Sequence, residues 1–189
     1  DIIDEFPSEI TQWTDSDGDG WGDNWAQSSW NVTRTGGIGE WVDNAQLIDE
    51  CPLTPGTSQF DRGGCIDGDG DGYSDPGDEY PNEQSQWADS DGDGYGDNQS
   101  GIRGDSCPNV YGESTRNSTY GCLDGDFDGW ADFEDVFPYD SSQWSDWDGD
   151  GFGDELIGYE GDACPSQSGN STIDRYGCLD DDGDGWSNA

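Results

Sequence analysis

The chain has no lysine, no histidine and no methionine, and its only basic residues are five arginines. Aliphatic material is scarce. Nine Ile, five Leu and four Val, even with six Phe added, amount to 24 of 189 residues. A soluble domain normally has far more with which to fill a core, and a net charge of -40 on such a composition ordinarily gives a disordered chain. Each absence excludes something. Without histidine there is no imidazole base and no His-ligated zinc. No apolar run approaches ~18 residues, so neither a transmembrane helix nor membrane insertion is expected. With 45 acids against 5 bases, phosphate meets a strongly negative field, and nucleic acid is not an expected partner. The lack of Met fits either a mature chain after signal removal or a piece of something longer.

What is present argues against disorder. There are ten Trp and eight Tyr, 35 of the acids are Asp, and the six cysteines fall into three evenly placed pairs. Corresponding cysteines recur every 56 or 57 residues. The segment from Tyr80-Pro81 to Gln86-Trp87 returns as Phe137-Pro138 to Gln143-Trp144, and an early copy runs from Phe6-Pro7 to Gln12-Trp13. This is the signature of a tandem array. Modules are expected at 1–66, 67–123 and 124–179, with a partial loop at 180–189 opening a fourth. The first module carries 18 extra residues within about 24–48, because Asp23 lies 28 residues before Cys51 where its counterparts Asp97 and Asp154 lie 10 before theirs. The insertion bears Trp25, Trp30 and Trp41. It reads as a cover packed on its own module or as a surface loop on a binding face.

Each full module holds acidic loops with a fixed register. In the closed type, Asp67, Asp69, Asp71, Asp75 and Asp78 occupy positions 1, 3, 5, 9 and 12, with Gly72 at 6 and Tyr73 at 7. Asp124, Asp126, Asp128, Asp132 and Asp135 repeat the pattern around Gly129 and Trp130. A hard cation such as calcium takes six to eight oxygens, and a backbone carbonyl at position 7 adds to the carboxylates; magnesium prefers a smaller, wetter octahedral shell. Glycine at position 6 permits the turn. In the open type, position 12 is not acidic. These loops are Asp15, Asp17, Asp19, Trp21 and Asp23; Asp89, Asp91, Asp93, Tyr95 and Asp97; and Asp146, Asp148, Asp150, Phe152 and Asp154. The last ligand must come from elsewhere. Asp49, Asp105 and Asp162, each two residues before the first cysteine of a pair, are candidates, and water is the alternative. A merely solubilising acidic surface does not explain the glycine register. Proline and glycine flank the loops and leave no room for the paired helices of an EF-hand.

The pattern Asp67-x-Asp69-x-Asp71-Gly72-x-x-Asp75-x-x-Asp78 and its copies resemble the calcium-binding type 3 repeats of thrombospondins and the related dockerin-like surface repeats. The resemblance covers the acidic loops but not the insertion or the Phe/Tyr-Pro to Gln-Trp linkers. It implies that calcium replaces a hydrophobic core, that disulfides brace the string, and that the role is structural and extracellular. The cysteine spacing departs from that family, whose cysteines usually join neighbouring repeats. The expected fold is a mostly irregular, elongated array with little regular secondary structure.

Position 7 is always aromatic and position 8 always small. The rings, with Trp13, Trp87 and Trp144, are expected to pack between loops; a ladder of rings for glycans is the alternative. Six cysteines allow fifteen pairings. The period selects the local ones: Cys51–Cys65, Cys107–Cys122 and Cys164–Cys178. Thiolate zinc lacks further soft ligands nearby. Disulfides and calcium together point to secretion or the cell surface, as do four glycosylation sequons at Asn31, Asn98, Asn117 and Asn170.

The function expected from these residues is that of a calcium-stiffened extracellular structural protein, a rod or filament subunit. A surface adhesin that binds glycans or cell-surface proteins through the tryptophan-bearing insertion is the alternative. A buffer-type calcium store has no need of a disulfide in every module. No unique constellation stands apart from the repeat, so no enzyme is expected. Head-to-tail self-association is also expected. Asp180, Asp182, Asp184, Trp186 and Asn188 match positions 1, 3, 5, 7 and 9 of a loop whose position 12 is missing, and Asp1 and Asp4 align with positions 9 and 12. A longer covalent array would complete that loop in cis instead.

Overall fold

The structure, a computed structural model, describes residues 3–26 and 38–188. Among them there is no helix, and backbone pairing is confined to isolated parallel bridges at Gly22–Ile48, Trp25–Trp41 and Asp105–Tyr120. The chain is therefore mostly irregular, as its composition predicts, and three disulfides brace it: Cys51–Cys65, Cys107–Cys122 and Cys164–Cys178. These are the local pairings expected from the period. No helix among the described residues is long and apolar enough to cross a membrane. Asp1, Trp30, Asn31 and Ala189 lie outside the described residues.

The irregularity has a local cause. Aspartate side chains take the backbone N–H groups that a helix or sheet would use. Glycine at position 6 has φ between +91° and +102° in all six loops, a conformation in which a side chain would be strained. Phe127 stands at position 4 with φ of 64°, where the other loops carry glycine.

Two compact units are formed, Asp1–Ala88 with Ser100–Ile102, and Asp89–Gln99 with Arg103–Ala189. Among the described residues, the buried apolar ones are Ala45, Cys65, Cys122, Ala131 and Cys178. The largest fully buried side chains are instead polar, and Gln12, Gln86 and Gln143 head them. In the first unit, the Gln12 Nε2 donates to the carbonyls of Asn24 (2.9 Å) and Gln46 (2.6 Å), and its Oε1 accepts from the Asn24 N–H. In the second unit, Gln143 does the same with the carbonyls of Glu155 and Tyr159 and the Glu155 N–H. These glutamines replace apolar packing by tying a linker to the segment that follows an open loop. They also explain the glycine at position 8 of two open loops, since a Cβ at Gly22 or Gly153 would overlap the glutamine amide.

Because its three partners are backbone groups with no substitute, Gln143→Ala is expected to destabilise the folded protein by roughly 3 kcal/mol. Substitution of the exposed Gln167 should leave stability unchanged. Chemical denaturation of both variants checks this, and equal midpoints would refute the clamp.

The aromatic rings fill gaps between turns. Tyr73 stacks on Trp87 at 5.4 Å and meets Phe60 edge-on. Trp130 stacks on Trp144 at 6.5 Å, with the Arg116 guanidinium 4.9 Å above the Trp144 ring. In the open loops, Tyr95 meets Tyr120 and Phe152 meets Tyr176, each partner lying in a disulfide-closed segment. Trp186 differs, with more than half of its surface exposed.

Candidate metal centres

Every loop is built by the same side-chain-to-backbone bonds. The carboxylate at position 1 accepts from the N–H groups of positions 4 and 6, as Asp67 does from Gly70 (2.7 Å) and Gly72 (3.0 Å). Asp15, Asp89, Asp124, Asp146 and Asp180 repeat this. Position 5 accepts from the N–H of position 7, which orients that peptide; Asp19, Asp71, Asp93, Asp128, Asp150 and Asp184 all do so. Position 9 accepts from the N–H of position 2, through Asp23, Asp75, Asp97, Asp132, Asp154 and Asn188.

The result is convergence of charge. Asp15, Asp17 and Asp19 place one carboxylate oxygen each within 4.8 Å of one another. So do Asp67, Asp69 and Asp71; Asp89, Asp91 and Asp93; Asp124, Asp126 and Asp128; and Asp146, Asp148 and Asp150. These five triplets could each hold a metal ion.

The structure also brings a fourth carboxylate to each centre, and it shows that the open and closed loops share one plan. Six turns have the sequence Asp-x-(Phe/Tyr/Cys)-Pro, beginning at Asp4, Asp49, Asp78, Asp105, Asp135 and Asp162. In each, the Asp Oδ1 accepts from the N–H two residues on, at 2.6–2.9 Å. The carbonyl of that aromatic or cysteine then accepts from the N–H three residues further on. In closed loops this cap follows at position 12. In open loops extra residues intervene and the cap returns through space. Asp105 N–H bonds the Gly96 carbonyl and Asp162 N–H bonds Gly153, each one residue before position 9. The expectation that Asp49, Asp105 and Asp162 serve the open loops thus has a geometric basis. What the sequence reading missed was the proline three residues after each aspartate, which marks the two kinds of cap as one.

Electrostatics agree with this arrangement. Burial pushes the Asp105 carboxyl up to about 6, and the charges of Asp93, Asp91 and Asp97 add to the effect. Asp162 is raised by burial and by Asp150, Asp148 and Asp154. Asp78 and Asp135 are raised in the same way by burial and by the triplets of their own loops. These are carboxylates held together against their mutual repulsion.

Asp105 and Asp162 are 0 % and 1 % exposed, and the Oδ2 of each is buried without a hydrogen-bond partner. One oxygen each of Asp69, Asp71, Asp91, Asp126 and Asp128 is likewise buried without a donor. Such groups are costly unless something positive meets them. An oxygen-only donor set of convergent carboxylates is the kind a hard cation takes. The residues present fit such an ion.

Other expected sites fare as follows. Asp4 is exposed but adopts the cap turn, with Phe6 N–H donating to its Oδ1 at 2.9 Å. Loop 180–188 is held by the third disulfide-closed segment, through Thr172 and Ile173 N–H donating to the Gly185 carbonyl and Ser187 bonding Asp174. Of the sequons, Asn170 and Asn117 are exposed and Asn98 is half-buried. Asn117 and Thr119 both bond Glu134. In the insertion, Trp25 N–H donates to Glu40 and its carbonyl accepts from Val42, which leaves Trp41 59 % exposed. No protein-family model matches this chain, and no curated protein matches it.

Proposed function

We propose that this protein is a calcium-stabilised structural protein of the cell exterior, a spacer or filament subunit at a surface. The observation that carries the reading is the pair of fully buried, donor-free carboxylate oxygens of Asp105 and Asp162, each turned toward three further aspartates. Bound calcium would supply the positive charge that lets these groups stay buried and ionised. The chain's own residues set the geometry: positions 1, 3 and 5 with the cap aspartate present oxygens, and positions 6 and 7 turn the backbone. Calcium is favoured over magnesium because the donors are many and mostly carboxylate. Three disulfides in a chain with no free cysteine fit an oxidising compartment.

Native mass spectrometry and calorimetric titration test this. At least five calcium ions per chain are expected, with magnesium failing to replace them at equal concentration. Retention of no calcium would overturn the reading. Asp4, held in the cap turn, supports calcium-dependent self-association as part of the same proposal. Sedimentation of the same samples should show oligomers that Asp4→Asn removes, and a monomer at every calcium concentration would refute that part.

The exposed Trp41 ring favours one further reading, glycan binding by the insertion. A glycan array with wild type and a Trp25→Ala/Trp41→Ala variant separates the two, since a purely structural protein shows no signal to lose.

A further inference from the structure

The three open-loop centres and the three disulfides are made of the same backbone. At the second pair, Cys107 N–H donates to the Asp105 carboxylate at 2.7 Å, Ser106 N–H bonds the Tyr120 carbonyl, and Gly112 N–H donates to the Asp93 Oδ2 at 3.1 Å. On the other side of the bond, Gly121 immediately precedes Cys122. A Cβ there would overlap the Asp105 carboxyl and stand 2.9 Å from the Asp93 Oδ2. Both segments tied by Cys107–Cys122 are therefore walls of one centre.

The third pair repeats this with Cys164 on Asp162, Gly169 on Asp150, and Gly177 against both carboxylates. The first pair does so with Cys51 on Asp49, Gly56 on Asp19, and Gly64 against both. The closed loops meet the same segments at their turns only: Gln59 and Phe60 N–H donate to the Gly72 carbonyl, and Thr115 and Arg116 N–H donate to that of Gly129. Their caps, Asp78 and Asp135, run into Tyr80-Pro81 and Phe137-Pro138, outside every disulfide-closed segment.

We propose that each disulfide is a redox switch on the calcium affinity of its own open-loop centre, and that the closed loops at 67–78 and 124–135, whose caps lie outside it, respond less. This rests on the calcium reading above. A dithiol reductant gives two electrons and two protons to one Cys–Cys bond, which becomes two thiols as the dithiol closes to its cyclic disulfide. The cap then loses its covalent tie to the opposite wall. The four carboxylates repel, and backbone hydrogen bonds with a ring contact such as Tyr95–Tyr120 are left to hold the cap over the triplet. Loss of such supporting contacts typically lowers metal affinity about 10–100-fold. Linkage is reciprocal, so calcium must disfavour reduction of the same bond by the same factor.

The test uses the full chain. Calcium titration of oxidised wild type is expected to show at least five sites. Cys107→Ser/Cys122→Ser should weaken one of them about 10–100-fold and the closed-loop sites by less. Independently, wild type equilibrated in dithiothreitol buffers of graded poise, with the reduced fraction read by intact mass, should need a stronger reducing poise when calcium is present. Equal reduction with and without calcium, unchanged affinities in the variant, or loss of every site at once would overturn the proposed pairing of one bond with one centre. If the oxidised wild type binds no calcium at all, the fault lies with the calcium reading and not with the link.

Discussion

Stripping calcium at pH 7.5 is expected to cost the protein its packed conformation, with far greater protease sensitivity and a red-shifted tryptophan emission. The interior offers little to resist this. Among the described residues its buried apolar side chains are two alanines and three half-cystines, and clusters of up to four carboxylates would lose the charge proposed to hold them together. The disulfides keep their short loops closed, so the stripped chain expands without becoming fully random. Small-angle scattering with and without chelator measures this, and superimposable profiles would refute it.

The pH dependence of the metal-free protein follows from the same groups. Asp105 is held up to about 6 in the folded chain against about 3.9 in an unfolded one. A raised value means that the folded state binds the proton more tightly. Its stabilisation is therefore fully present below pH 3.9 and lost as the pH rises through 6. Asp78, Asp135 and Asp162 shift in the same direction. Metal-free protein should be more stable at pH 4 than at pH 7.5, by roughly 2 kcal/mol from Asp105 alone. Calcium-loaded protein should show the reverse, because its ligands must be deprotonated. Denaturation at both pH values, with and without calcium, checks the crossover.

Asp105→Asn is expected to change sign between the two states. The amide keeps an oxygen for the Cys107 N–H but removes a buried negative charge. In excess calcium the variant should lose one tightly bound ion and, at a calcium level about 1,000-fold above the dissociation constant, about 4 kcal/mol of stability. After chelation it should stay more compact than wild type, because Asp93, Asp91 and Asp97 no longer face a fourth charge. Denaturation midpoints in calcium and scattering profiles after chelation decide it. A variant destabilised in calcium and no more compact than wild type after chelation would show that Asp105 acts only through its hydrogen bond.

Much of this was legible without coordinates, because it depends on neighbours along the chain. The bonds that shape each loop span two, three, five or seven residues, so the Asp and Gly register alone determines them. The same locality made the disulfides readable, since a period of 56 or 57 residues leaves 14- and 15-residue spacings as the natural pairs. The shortage of aliphatic residues likewise determined that the fold would be irregular.

What only the tertiary structure decided involves residues far apart along the chain or too ordinary to stand out. Gln12 and Gln143 look like any solvent-facing glutamine, and only the return of Gln46 and Tyr159 to their amides makes them interior. The repeat placed Asp105 and Asp162 near the cysteines, yet their approach to loops 89–97 and 146–154 depends on how intervening residues fold back. Spacing cannot encode that return. It is set by the backbone bonds from Asp105 to Gly96 and from Asp162 to Gly153. The charge that would make such an approach favourable is not part of the chain at all.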